Sequence, residues 1–237
     1  MGDIRFSDIV KFEPWGKNHQ KGFRGRTLLI LGDSHYCAKN ENRNAQCLKF
    51  GDCSYNCMNA TCYSMTNGLI RDEYLPFRKG EKPSAGYLQT ILAFEKNLFG
   101  YTPSIEESID FWNGVIFYNY IQHSQIKPQT RRKTLPDEIA GYQLAFKEVL
   151  EKCNPDIIIV WSKFLFTKDW LPNGVENIPD YTLTAEVDNN LYHTPIRTFA
   201  LNGKYVRAII TQHPCCRYGK DQTKWHALLK KFLELDD

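Results

Sequence analysis

Four short apolar runs punctuate the chain: Thr27–Leu31, Gly114–Tyr118, Asp156–Trp161 and Val206–Thr211. Their length and their Leu, Ile and Val content predict strands buried on both faces. Helical patterns lie between them. Gly86–Phe99 carries apolar residues at three- and four-residue spacing and is followed by Gly100, a residue suited to a left-handed C-cap. Pro136–Cys153 opens with Pro136, Asp137 and Glu138, which suit a first turn, and its pattern predicts burial of Ile139, Leu144, Phe146 and Leu150. Asp221–Leu235 sets Trp225, Leu228, Leu229 and Phe232 on one face. Strands alternating with helices predict an α/β fold, a three-layer α/β/α domain around a central four-stranded parallel sheet.

Two stretches break this alternation. Residues 37–83 are rich in Cys, Asn and Lys and read as an insertion with its own local structure. Residues 171–205 hold Pro172, Gly174, Pro179, Asn189 and Asn190 and read as loops, with a hairpin across Asn202 and Gly203. With 237 residues and no internal repeat, the chain is expected to form a single domain over 1–237 that contains the insertion at 37–83.

Composition narrows the class. Hydrophobic residues make up 42% and charged residues 24%, the balance of a globular protein rather than a disordered one. No apolar run reaches the length of a membrane span, and the N-terminal residues lack the apolar stretch of a secretory signal. Gly2 is followed by Phe6 where a myristoylation motif wants Ser or Thr. A cytoplasmic home is therefore expected, in which cysteines serve as thiols or metal ligands rather than disulfides. A net charge of +3 is too small to name a partner. Its distribution says more, because Arg131, Arg132 and Lys133 cluster after the second strand, where they would meet backbone phosphates of a nucleic acid.

In an open parallel sheet, ligands bind beyond the carboxyl ends of the strands. That rule singles out Gly32-Asp33-Ser34-His35-Tyr36 after the first strand, Asn119-Tyr120-Ile121-Gln122 after the second, and Gln212-His213-Pro214-Cys215-Cys216-Arg217 after the fourth. An acid, a hydroxyl, amides and a histidine are thus expected to converge on one crevice. His123 follows the second of these segments closely.

These segments resemble the uracil-DNA glycosylase superfamily. LLILGDSHY is similar to its strand followed by a GQDPY or GEAPG motif, GVIFYNYIQ to its strand ending in a base-reading Asn, and ITQHPCCR to its HPSP loop before a terminal helix. The resemblance implies a glycosylase acting on a damaged or deaminated base in DNA. It implies that Gly32 lets the backbone approach a base or phosphate, Asn119 reads the pyrimidine edge, and His213 stabilises the leaving base. Pro214 to Arg217 would enter the duplex, with Arg217 as the wedge. His35 and Tyr36 fall in the same substrate-binding turn, and Tyr36, Tyr63 and Tyr120 are candidates for an aromatic floor. The chain departs from the family at Ser34, where the GQDPY branch has its water-orienting Asp. Asp33 matches the acid of the GEAPG branch, so either Asp33 replaces the missing acid or the water-orienting function is lost. His35 stands in place of Pro, and Cys215 in place of Ser.

Two rival classes remain. Gly32-Asp33-Ser34 after a strand is also similar to the nucleophile block of GDS-type (SGNH) esterases, in which Ser34 would attack and His213 act as base. That family places an Asp about three residues before its His, and position 210 here is Ile210. The third class is an inactive member that only binds nucleic acid or a nucleotide.

Cys47, Cys53, Cys57 and Cys62 form a second cluster, with Cys37 and His35 near it in sequence. Four thiolates at this density suit a tetrahedral zinc site stapling a small subdomain, and reduced, unliganded thiols are the equal alternative. An iron–sulfur cluster of the kind some superfamily branches carry fits less well, because the spacing differs.

Overall fold

A computed structural model of the chain describes residues 4–17, 22–36, 65–122, 124–125, 136–215 and 218–235. Eight strands are present among them: β1 Leu28–Gly32, β2 His35–Tyr36, β3 Ile116–Asn119, β4 Ser124–Gln125, β5 Ile157–Val160, β6 Tyr181–Val187, β7 Asn190–Leu201 and β8 Lys204–Ile210. The main sheet runs β3-β1-β5-β8-β7-β6. Its first four strands are mutually parallel, and the last two join antiparallel. β2 and β4 pair separately, in parallel.

The expected four-stranded parallel sheet is therefore corrected to a six-stranded mixed sheet, while the α/β class holds. The extra strands come from the stretch read as loops. The hairpin across Asn202 and Gly203 is there, and a second one turns at Asp188 and Asn189. All four turn residues have positive φ, as tight primed turns between strands require. Pro195 hid the longer strand, since proline cannot donate to a ladder. β7 tolerates it because its pairing with β8 begins only at Ile196, so Pro195 pairs with β6 alone, opposite Thr182.

The helical elements are α1, running from Met65–Gly68 through a π-helical Leu69–Tyr74 to Leu75–Arg78, then α2 Gly86–Phe99, α3 Ile105–Gly114, α4 Pro136–Cys153, the short α5 Lys163–Thr167, and α6 Gln222–Leu233. Gly100 caps α2 in the left-handed conformation. Asp221 caps α6 by accepting the Lys224 N–H. α3 has a full capping box: Ser104 accepts the Glu107 N–H, and the Glu107 carboxylate accepts the Ser104 N–H.

Alternation along the strands splits the core in two. Leu28, Ile30, Phe117, Ile157, Ile159 and Ile209 face α1, α2, α3 and α6. Leu29, Leu31, Ile116, Tyr118, Ile158, Val160 and Ile210 face α4 and α5. The α4 stripe is Tyr142, Ala145, Phe146, Val149 and Leu150. Leu144, expected inside, projects into solvent because it sits on the opposite side of the helix from Phe146. On α6, Trp225, Leu228, Leu229 and Phe232 are all buried as expected.

The first core holds a buried ion pair. Glu95 of α2 is fully enclosed and accepts from Arg78 Nη1 at 2.5 Å, Ser108 Oγ at 2.8 Å and Trp112 Nε1 at 2.7 Å. Arg78 also donates to the Pro103 carbonyl and to Ser108, so one network ties α1, α2 and α3 together. Replacing Glu95 with Ala strands a guanidinium in an apolar interior, a loss of about 3–5 kcal/mol in urea denaturation. A loss below about 1 kcal/mol would contradict this role.

Candidate functional site

The parallel register makes the strand ends coincide. Gly32 is the register partner of Asn119, and Leu31 that of Val160, which in turn partners Ile210. By the two-residue alternation, Asn119, Gly32, Trp161 and Thr211 then form one row across the carboxyl edge, on the same face as Phe117 and Ile159. The chain stays in register past the end of β1. The Tyr120 N–H donates to the Gly32 carbonyl and the Ile121 N–H to the Asp33 carbonyl, each at 3.0 Å, and β2 then pairs with β4.

Gly32 matters because of what lies over it. A methyl group there would overlap Asn119 Oδ1 and fall 3.1 Å from Asn119 Cγ and 3.2 Å from Phe117 Cε2. The close approach that Gly32 permits is thus that of the Asn119 amide, which is itself buried.

Asp33 is buried, with 2% of its surface exposed. Its Oδ2 accepts from Ser162 Oγ at 3.2 Å. Ser162 is the second residue past β5 and is also buried, so an acid from one strand end is held by a hydroxyl from the next. Ser34 Oγ and Trp161 Nε1 are enclosed and find no hydrogen-bond partner among the described residues.

His213 leaves the same edge two strands away, after Thr211 has tied itself to the Val160 carbonyl through both its N–H and its hydroxyl. Its backbone is crowded by Gly219, where a Cβ would meet Pro214 Cα at 3.0 Å. The Gly219 carbonyl accepts from Asn97 Nδ2 of α2 at 2.7 Å, which anchors the loop. His213 Nδ1 accepts the backbone N–H of Cys215 at 3.3 Å. A neutral imidazole held in this way carries its proton on Nε2.

The structure therefore brings Gly32, Asp33, Ser34 and Asn119 together and places His213 and the buried Pro214 on the same sheet edge, with the β5 exit between them. His35 and Tyr36 continue from that turn as β2. Tyr120 belongs to the second core, edge-on to Tyr142 and Phe146, and its hydroxyl donates to the Trp170 carbonyl. Burial pushes its phenol well above the usual range. Cys153 is likewise interior, its thiol pushed up to about 12 by burial. His226 sits against the Leu98 carbonyl and His193 beside Thr184. Arg217, Arg131, Arg132, Lys133, His123, Tyr63 and the cysteines Cys37, Cys47, Cys53, Cys57 and Cys62 lie outside the described residues. Among the described residues no three His, Cys, Asp or Glu side chains group as metal ligands, and no helix is long and apolar enough to cross a membrane.

Ser162 is the site residue that sequence reading overlooked, since the exit of the third strand was not among the segments singled out. Gln122 was named at the end of the second strand, but its role was not, because a Gln does not stand out as chemistry without knowledge of its partners.

No family model and no curated protein matches this chain.

Replacing Gly32 with Ala must displace Asn119 or part β1 from β3. A loss of about 1–3 kcal/mol in thermal or urea unfolding is expected, with a shifted Asn119 side-chain amide resonance. Unchanged stability with an unmoved resonance would refute this packing.

Proposed function

We propose that the chain is a uracil-DNA glycosylase-like hydrolase that cleaves the N-glycosidic bond of a damaged or deaminated base in DNA. The observation that carries the reading is a buried carboxylate, Asp33, held by Ser162 next to the Gly32–Asn119 pair at the carboxyl edge of parallel strands. Three of the four parallel strands, β1, β3 and β8, also end in the segments on which the family resemblance rests.

Hydrolysis breaks the bond between the base nitrogen and C1′ of the sugar. The electron pair leaves with the base, positive charge builds on the sugar, and water oxygen bonds to C1′. In the proposed mechanism Asp33 stabilises that positive charge and orients the water, whose proton it takes. His213, with its proton on Nε2, donates a hydrogen bond to the base oxygen as negative charge develops there. Asn119 pairs with the pyrimidine edge once the base has left the stack. Arg131, Arg132, Lys133 and Arg217 would hold phosphates and duplex. The Cys47, Cys53, Cys57 and Cys62 group enters the proposal as a zinc staple outside the chemistry. About one equivalent of zinc in purified protein is expected, and none together with freely titrating thiols would remove it.

The esterase reading is less well supported. It needs Ser34 hydrogen-bonded to His213, and the Ser34 hydroxyl has no such partner among the described residues.

Incubation with uracil-containing single- and double-stranded DNA, followed by alkaline cleavage of abasic sites, tests the proposal. Replacing His213 with Ala should slow base release about a hundredfold or more. Binding should survive largely intact, since phosphate contacts supply much of the affinity. Replacing Ser34 with Ala should be mild. Loss of p-nitrophenyl ester hydrolysis in that variant would instead establish the esterase, and binding of DNA without release of any base would leave a binding protein.

A further inference from the structure

We infer that Gln122 is a positioning residue for Asn119, fastening the backbone of the base-reading residue to the N-terminal segment. The inference rests on the role proposed for Asn119, but its geometry stands independently. Gln122 is fully buried, and both ends of its side chain are used. Nε2 donates to the Asn119 carbonyl at 2.7 Å, and Oε1 accepts the Phe12 N–H at 3.0 Å. A carbonyl only accepts and a backbone N–H only donates, so these partners fix which end of the amide is which.

The N-terminal segment grips β3 a second time. Trp15 exchanges backbone hydrogen bonds with Phe117, at 2.9 Å and 3.1 Å. Asn119 therefore lies between two attachments of one segment, at Phe117 and at Gln122. On its other side the backbone is held by β1, through the Tyr120 and Ile121 N–H groups. Phe12 is itself buried, which anchors the segment. With the backbone on either side of Asn119 secured, its side chain lies across Gly32. Gln122 closes this arrangement through the backbone carbonyl of Asn119, not through its side-chain amide.

Substitution separates this role from plain core filling. Glu at 122 keeps the shape and the acceptor for Phe12, but it turns an oxygen toward the Asn119 carbonyl. Met keeps most of the volume and removes both hydrogen bonds. In the full-length protein, the Asn119 side-chain amide resonance would be followed in Gln122→Glu and Gln122→Met, with the Asn97 amide, bonded to Gly219, as an internal reference. Excision of uracil would be measured beside excision of a second pyrimidine. The expected result is a displaced Asn119 resonance, an unmoved Asn97 resonance, and uracil excision lower by about a hundredfold, as misplacement of a reacting group produces. Discrimination between the two bases should fall with it. An Asn119 resonance that stays in place in both variants, or one that moves only together with Asn97, would overturn the inference. If the wild-type protein excises no base, the glycosylase reading fails, and the resonance comparison still decides whether Gln122 positions Asn119.

Discussion

Parallel pairing of β1 with β3 on one side and β5 on the other sets the position of every group with chemistry to offer. Parallel strands end at the same edge, so Gly32, Asn119, Ser162 and His213, far apart in sequence, emerge together. The Gly32–Asn119 partnership is the tightest point in this arrangement. It needs a residue without a side chain on β1, and it continues past the strand end through the Tyr120 and Ile121 N–H groups. Asp33 follows by one residue, and the turn of the chain there buries its carboxylate against Ser162.

The two cores support that edge differently. The face carrying α4 and α5 is almost wholly apolar. The opposite face includes the Arg78–Glu95 pair, whose hydrogen bonds fix α1, α2 and α3 against one another. Asn97, on the same α2 as Glu95, reaches the Gly219 carbonyl and so holds the loop that presents His213. The ordering of helices on one face thus bears on the histidine, while the N-terminal segment bears on the asparagine through Phe12 and Trp15.

Much of the scaffold was legible in the sequence because burial on both faces writes an unbroken apolar run. Ile157–Val160 is such a run, and α2 and α4 match their expected spans because Gly100 and Pro136 mark their ends. β6 and β7 were not legible. Their Thr, Tyr, Ile and Phe content suits strands, but Pro172, Gly174 and Pro179 ahead of them, Asn189 and Asn190 in their turn and Pro195 within β7 read as loop, while pairing with each other and with β8 enforces them. α3 was missed although Ser104 and Glu107 announce it. At the site, Gly32, Asp33, Asn119 and His213 could be named from strand ends alone. Ser162 could not, nor could the role of Gln122, because each matters for what it touches, and a contact across more than a hundred residues leaves no local mark.

Under the proposed function the Asp33 carboxylate, rather than the Ser34 hydroxyl beside it, performs the chemistry of this edge. Replacing Asp33 with Asn keeps the shape and the acceptor for Ser162 while removing the charge. Mass-spectrometric quantitation of free uracil released in a single turnover from single-stranded DNA tests the claim most directly. Release by the wild-type protein is expected, with a rate about a hundredfold lower or more in Asp33→Asn, as loss of one electrostatic partner of the transition state entails. Equal rates in the two proteins would contradict it.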